Sequence, residues 1–201
     1  MVETQIRARG VSDPAVLRAM EHVPRHSFVP PDYRHDAYGD HPLPIGYGQT
    51  ISQPYIVALM TQLSHVGPIS RILEVGTGCG YQTAVLAEVA REVYSVEIVP
   101  ELAAESQRRL QELGYKNVSV RLGDGYEGWP DHAPYDGIIV TAAAPEVPPP
   151  LLVQLADGGR LVIPVGTCLG GQDLWLLEKH GDRVNRTNYG GVLFVPLVRK
   201  R

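Results

Sequence analysis

Cysteine is scarce in this chain: 201 residues carry two thiols, Cys79 and Cys168. Two thiols exclude a disulfide framework and a four-thiolate metal site. Long apolar runs are missing as well, and no stretch reaches the roughly 20 residues that a membrane-spanning helix needs. The opening Met1-Val2-Glu3-Thr4-Gln5 has neither the basic start nor the apolar stretch of an export signal. A reducing, cytoplasmic setting is therefore expected, with no membrane partner. Positive charge is not in excess either: Lys+Arg 18 against Asp+Glu 22 leaves a net charge of −4. Gripping a phosphate backbone needs clustered cations, and the one basic cluster is the tail Arg199-Lys200-Arg201. No nucleic-acid partner is expected. The seven histidines show no HExxH or other metal-ligand spacing, so no metal is expected. Of these, His26 and His41 are candidates for the wall of an active-site cleft.

Glycine (21) and proline (17) are plentiful, while 44% hydrophobic and 20% charged residues describe an ordinary globular chain. The length suits one ample core, and the chain reads as a single domain over 1–201. Residues 1–69 supply helices and a long shaped loop; residues 70–201 supply alternating strands and helices. Asp13-Pro14 has the form of a helix cap followed by a first-turn proline. Val16, Leu17, Met20 and Val23 then recur at helical spacing until Pro24. Residues 28–54 carry too many prolines for a long helix or a central strand. Their aromatics, among them Phe28, Tyr33, Tyr38 and Tyr47, argue for an ordered, functional loop. A helix is expected over 55–65, with Ile56, Leu59, Met60 and Leu63 on one face.

Beyond residue 70 the pattern alternates. Strands are expected at 71–75, 93–96, 118–122, 137–140 and 160–164, with helices at 81–90, 100–113 and 151–156. Segments 173–177 and 192–195 lack a convincing helix between them and read as an antiparallel pair. The fold class is thus α/β: a doubly wound, mostly parallel sheet with a C-terminal antiparallel strand pair.

The most informative pattern is Glu74-Val75-Gly76-Thr77-Gly78-Cys79-Gly80. Glycines after a strand allow a sharp turn and close approach to a ligand, and ligands of open parallel sheets bind at the strands' carboxyl ends. A dinucleotide loop needs glycine at the first, third and sixth positions, but the sixth counted from Gly76 is Tyr81. No phosphate-loop lysine follows either. A glycine loop preceded by the Glu74 carboxylate suits a ligand with cationic groups and little phosphate. S-adenosyl-L-methionine, with ammonium, sulfonium and ribose, fits. Glu97 closes the next strand, where a carboxylate can accept hydrogen bonds from both ribose hydroxyls. Asp124, in Gly123-Asp124-Gly125, ends the third strand beside the expected adenine amino group.

These residues resemble the protein-L-isoaspartate O-methyltransferase family, and the similarity runs nearly end to end. Gln5 to Gly10 and Val23 to Pro30 are similar to its N-terminal segment. Pro42 to Pro54 resembles its active-site signature, and Glu74 to Tyr81 its cofactor loop. Gly123 to Tyr126 and Val140 to Ala143 match as well, and Phe194-Val195-Pro196-Leu197 resembles its substrate-contacting C-terminal strand. Cys79 departs from the serine of many members. The resemblance implies an S-adenosylmethionine-dependent methyltransferase fold of Rossmann-like type. It implies methyl transfer from that cofactor, leaving S-adenosyl-L-homocysteine, to the free α-carboxylate of L-isoaspartyl residues in damaged proteins and peptides. The ester then re-closes to a succinimide, and hydrolysis restores some normal linkage. The implied cofactor residues are Gln49, Thr50, Ile51 and Ser52, Glu74, Gly76, Thr77, Gly78, Cys79 and Gly80, then Glu97, Ile98, Asp124 and Gly125. Ser52, with Thr50 beside it, is the implied catalytic pair; Ile45, Ser52, Thr141 and Val195 are the implied substrate contacts.

The chemistry asks little of an active-site base. A carboxylate with a pKa of about 3.5–4 is already ionised at neutral pH, so the task is alignment and removal of water. Ser52 also stands where a serine caps the 55–65 helix. Two other readings share the scaffold: a methyltransferase for another carboxylate or small molecule, and a non-catalytic cofactor-binding module. Thr50-Ile51-Ser52 speaks against the module, which has no need of it.

Overall fold

The computed structural model describes residues 1–167 and 169–199. Cys168, Lys200 and Arg201, counted above among the thiols and the basic tail, lie outside the described residues. Helix α1, Pro14–His22, begins as its sequence requires: the Asp13 carboxylate accepts from the amides of Ala15 and Val16 at 2.8 and 3.2 Å. The proline-rich stretch after it folds into two short 3-10 turns, Arg25–Phe28 and Pro31–Asp36. A small antiparallel hairpin follows, of β1, Leu43–Gly46, and β2, Gln49–Ile51. At its tip Gly46, Tyr47 and Gly48 all take positive φ, which the two glycines adopt freely for want of a Cβ. Helix α2, Pro54–Ser64, starts at a proline and ends at His65.

The large sheet has seven strands in the order β5-β4-β3-β6-β7-β8-β9. Its parallel part is β3, Arg71–Val75; β4, Glu92–Glu97; β5, Val118–Leu122; β6, Tyr135–Val140; and β7, Leu155–Thr167. Strands β8, Gly171–His180, and β9, Arg183–Val192, continue it antiparallel. The helices between strands are α3, Tyr81–Val89; α4, Pro100–Glu112; and α5, Pro149–Gln154. Side-chain alternation builds a core on each face. Ile72, Ile139 and Val162 pack with α2 and α3 residues Met60, Leu63 and Leu86, while Leu73, Ile138 and Leu161 pack with Leu151 of α5. Helix α3 is buried almost all round because α1 covers its outer side: Val85 and Val89 join the N-terminal cluster, and Leu86 faces the sheet.

The sheet corrects one strand assignment. The final antiparallel strand is Arg183–Val192, a polar and mostly exposed edge without period-two hydrophobicity. The apolar segment 192–195 largely leaves the sheet. It runs beside the end of β6, where Ala143 N donates to Val195 O and Leu197 N to Ala143 O, both at 2.8 Å. Among the described residues no helix is long and apolar enough to cross a membrane.

Candidate active site

Chain order places β4 and β5 on one side of β3 and β6 on the other, so the connections diverge at the β3–β6 pair. Ligands of open parallel sheets bind at such a point. A cleft of about 800 Å³, mouth included, opens there. Its floor is the loop after β3, with Gly76, Thr77, Gly78 and Cys79. Glu97, Ile98 and Val99 border it after β4, Gly125 after β5, and Thr141 and Ala142 after β6. Gln49, Thr50, Ile51 and Ser52 of the hairpin form the opposite wall.

The loop is held from three sides. Gly76, at φ 97°, lies so close under Thr141 that a side chain there would strike the threonine hydroxyl. Thr141 Oγ1 donates to Gly76 O at 2.6 Å and lies 3.0 Å from Val75 O. Gly80 is pressed against Leu110 and Ser106 of α4, and Arg109 donates to Cys79 O at 2.8 Å. Three of the loop amides are already spent. Gly76 N donates to Val96 O, Gly78 N to Glu97 Oε2, and Gly80 N to Thr77 O, at 2.7–2.9 Å. A phosphate cradle needs several free amides aimed at the ligand, and in this loop the three glycine amides turn to protein acceptors instead. Space floored by backbone and closed by a carboxylate fits a phosphate-free, cationic cofactor such as S-adenosyl-L-methionine.

Glu97 is buried, and its carboxylate accepts three backbone amides: Gly78, Ile98 and Val99 at 2.7, 2.8 and 2.9 Å. A carboxylate has about four acceptor positions. One is left for a ribose hydroxyl, and a second hydroxyl requires release of an amide. Glu74, Gly80 and Asp124 stand off the cleft wall. Glu74 is sealed beneath the loop, with Oε2 accepting from Thr83 Oγ1 at 2.5 Å and Ser95 Oγ at 2.6 Å. Burial, foremost, and then the Glu97 charge push its pKa up to about 8. Asp124 Oδ1 accepts from Tyr126 N at 2.9 Å, next to the wall residue Gly125.

A second cavity, a groove of mixed polar and apolar lining, runs into the cleft. Thr50, Ser52, Thr141 and Val195 border both. The groove continues past Tyr55, Ile56 and Leu59 of α2 to Leu174, Tyr189, Leu193 and Phe194. Of the expected substrate contacts, Ser52, Thr141 and Val195 therefore meet at one junction, and Ile45 does not. Ile45 is buried behind the loop against Gly78, on the wall of a separate cavity. The Thr141 hydroxyl proton is committed to the loop, so it braces the junction rather than donating to a bound anion. Ser52 does not cap α2, whose cap position is Gln53, with no side-chain cap. His26 pairs with Tyr38 at 2.6 Å and His41 with Asp36 at 3.0 Å; both lie off the two cavities.

Sequence reasoning missed Gln172. Its buried amide donates to Phe194 O at 3.0 Å and accepts from Phe194 N at 2.6 Å, clamping the C-terminal segment along the groove. A glutamine at the head of an apolar strand was the available signal. Tyr189 and Gln82, also wall residues, carried none.

A family model described as protein-L-isoaspartate(D-aspartate) O-methyltransferase matches residues 1–201. The chain is 58% identical over 197 residues to the protein-L-isoaspartate O-methyltransferase of Picosynechococcus sp., covering 98% of this chain and 88% of the relative. It is 55% identical over 201 residues to the enzyme of that name from Gloeobacter violaceus, covering 100% and 98%. A solved protein-L-isoaspartate O-methyltransferase superposes with a TM-score of 0.87 at 32% identity. That match covers 98% of this chain and 65% of the solved one, so the chain spans just under two thirds of that protein. A Plasmodium falciparum protein carrying the same family name, solved in complex with S-adenosyl-L-homocysteine, gives 0.84 at 26% identity and covers 99% and 97%.

Proposed function

The chain belongs to the protein-L-isoaspartate(D-aspartate) O-methyltransferase family, and on that premise we propose that it methylates the free α-carboxylate of L-isoaspartyl residues in damaged proteins and peptides, initiating their repair through a succinimide. S-adenosyl-L-methionine supplies the methyl group as an electrophile on a cationic sulfur. The observation that carries the reading is the junction: Thr50, Ser52, Thr141 and Val195 belong at once to the cleft beside the glycine loop and to an adjoining open groove that runs on to Tyr189 and Phe194.

The residues then divide the work. Glu97 takes a ribose hydroxyl, Asp124 reads the adenine amino group from beside Gly125, and Gln49, Thr50 and Ile51 close over the cofactor. Ser52, free of any capping duty, donates its hydroxyl to one oxygen of the incoming carboxylate and aims the other at the methyl. That carboxylate is ionised at neutral pH, so no base is needed. Catalysis is alignment and loss of water where the groove meets the cleft. Val195 is held in place from both sides: its carbonyl is bonded to Ala143, and its neighbour Phe194 is clamped by Gln172. The proposed setting is the cytoplasm, where the buried Cys79, with its thiol pKa raised by burial, stays reduced. Proteins with aged aspartyl or asparaginyl sites are the partners; nucleic acids and membranes are not.

Esterification of an isoaspartyl peptide and its aspartyl twin tests the function. The two carboxylates sit on different arms, and small misplacements cost about a hundredfold in rate. Strong selectivity for the isoaspartyl peptide is expected; equal rates would point to a different carboxyl substrate, and no methylation to a cofactor-binding module.

A further inference from the structure

Glu74 is the one fully buried carboxyl group among the described residues that no backbone amide or cation satisfies. It has zero exposure. Oε2 accepts the hydroxyls of Thr83 and Ser95, while Oε1 has no partner. Ser95 Oγ also shares a 2.6 Å hydrogen bond with Thr77 Oγ1, and Thr77 lies on the cofactor cleft. An unbroken file of hydroxyls thus runs from the cleft wall to the buried carboxyl. The groups packed against Glu74 are few in kind. Strand β4 presents Ser95 and β6 presents Ile139 in register, α3 presents Thr83, and the loop presents Thr77. Gln82 of α3 turns instead to Thr61 of α2. The one formal charge acting on Glu74 is the carboxylate of Glu97, which has the same sign. The Ser95 and Thr83 hydroxyls favour the ionised form, but full burial without a counter-charge outweighs them, and the group holds its proton.

We propose that Glu74 senses the charge of the cofactor, releasing its proton when the sulfonium form occupies the cleft and regaining one when the neutral-sulfur product remains. The inference rests on the methyl-donor reading above. An opposite charge within about 4–6 Å lowers a carboxyl, and S-adenosyl-L-methionine bound in the cleft would add one across the Thr77 and Ser95 hydroxyls from Glu74. Methyl transfer removes it, since the sulfur of S-adenosyl-L-homocysteine is neutral. The proton passes to solvent on binding and returns from solvent after transfer, so no further reactant is needed. The consequence is selective: ionised Glu74 holds the donor, and reprotonated Glu74 has no charge with which to hold the product. Glu74 is thus a positioning residue acting through Ser95 and Thr77, not a contact.

Proton counting tests this directly. Titration calorimetry at pH 7, in buffers of different ionisation enthalpy, should show S-adenosyl-L-methionine releasing up to about one proton more than S-adenosyl-L-homocysteine on binding. The difference should vanish in Glu74→Gln. Equal proton counts in the wild-type protein, or a difference that survives in Glu74→Gln, would overturn the proposal. If Glu74→Gln does not fold, the wild-type protein decides alone. The ratio of the two dissociation constants should move several-fold per pH unit between pH 6 and 7.5 in favour of the donor, and a flat ratio overturns the idea. Heat from neither ligand would instead sink the cofactor reading itself, and the proposal with it.

Discussion

Glu74 is the penultimate residue of β3 and pairs in register with Ser95, while Glu97 ends β4 two positions beyond Ser95, so both carboxylates leave the same face of the sheet and their fates differ through position along the strand. Successive residues of a strand face opposite sides of the sheet. Val75 therefore faces the cleft and Glu74 turns under the loop, towards α3. The sequence marked both carboxylates as ligand groups, because adjacency to a glycine loop does not specify the depth. Glu97→Gln should lose the charge that receives three amides and turn its own NH2 against at least one of those donors, weakening the proposed ribose contact. Cofactor affinity should fall by about 1.5–3 kcal/mol, the range for hydrogen bonds to charged groups, as read by calorimetry on a folded variant. Unchanged affinity would remove Glu97 from the site. Ser52→Ala should slow methylation roughly tenfold or more, with little change in melting temperature, since Ser52 caps no helix. Wild-type turnover with a lowered melting point would return Ser52 to a structural role.

At the scale of elements, caps and prolines were the legible features. Asp13-Pro14 starts α1, and the prolines at 54, 100 and 149 each open a helix. Asp13→Ala should cost about 1 kcal/mol, or a few degrees of melting temperature in a chain this long, and leave cofactor affinity untouched. Thermal unfolding and calorimetry check the two halves of that statement. The β1–β2 hairpin was not legible. Its strands are short, carry Pro44, and pair across a tip of three positive-φ residues. The last strand was misplaced for a related reason. Residues 183–192 lie at an exposed edge, where no hydrophobic alternation is imposed. The more hydrophobic 192–195 instead serves as a groove wall pinned by Gln172.

For the whole molecule, the buried Glu74 carboxyl makes stability depend on pH. Folded, it keeps its proton to about pH 8; unfolded, it loses it near 4.5. The folded chain then binds more protons, so this group's contribution is complete below pH 4.5 and is lost as pH rises towards 8. Glu74→Gln cannot titrate, so its stability should gain on the wild type between pH 5 and 8 and stay level above that. Denaturant unfolding at several pH values measures the gap; a gap independent of pH would show that Glu74 ionises in the folded state as freely as in the unfolded one.

Periodicity, punctuation and motif spacing by themselves determined the α/β class, the strand–helix alternation and the glycine loop with Glu97 after the next strand. Those are local properties, written in side-chain period and in the few residues that tolerate a turn. Only the tertiary structure decided which groups meet. The joining of cleft and groove at Thr50, Ser52, Thr141 and Val195 unites residues up to 145 positions apart, and it arises because the N-terminal hairpin and the C-terminal segment close over the same end of the sheet. No local pattern records that closure, nor the sealing of Glu74 beneath the loop or the withdrawal of Ile45 behind it. Each depends on how layers far apart in the chain pack, and that is settled by the burial of apolar faces rather than by any run of neighbouring residues.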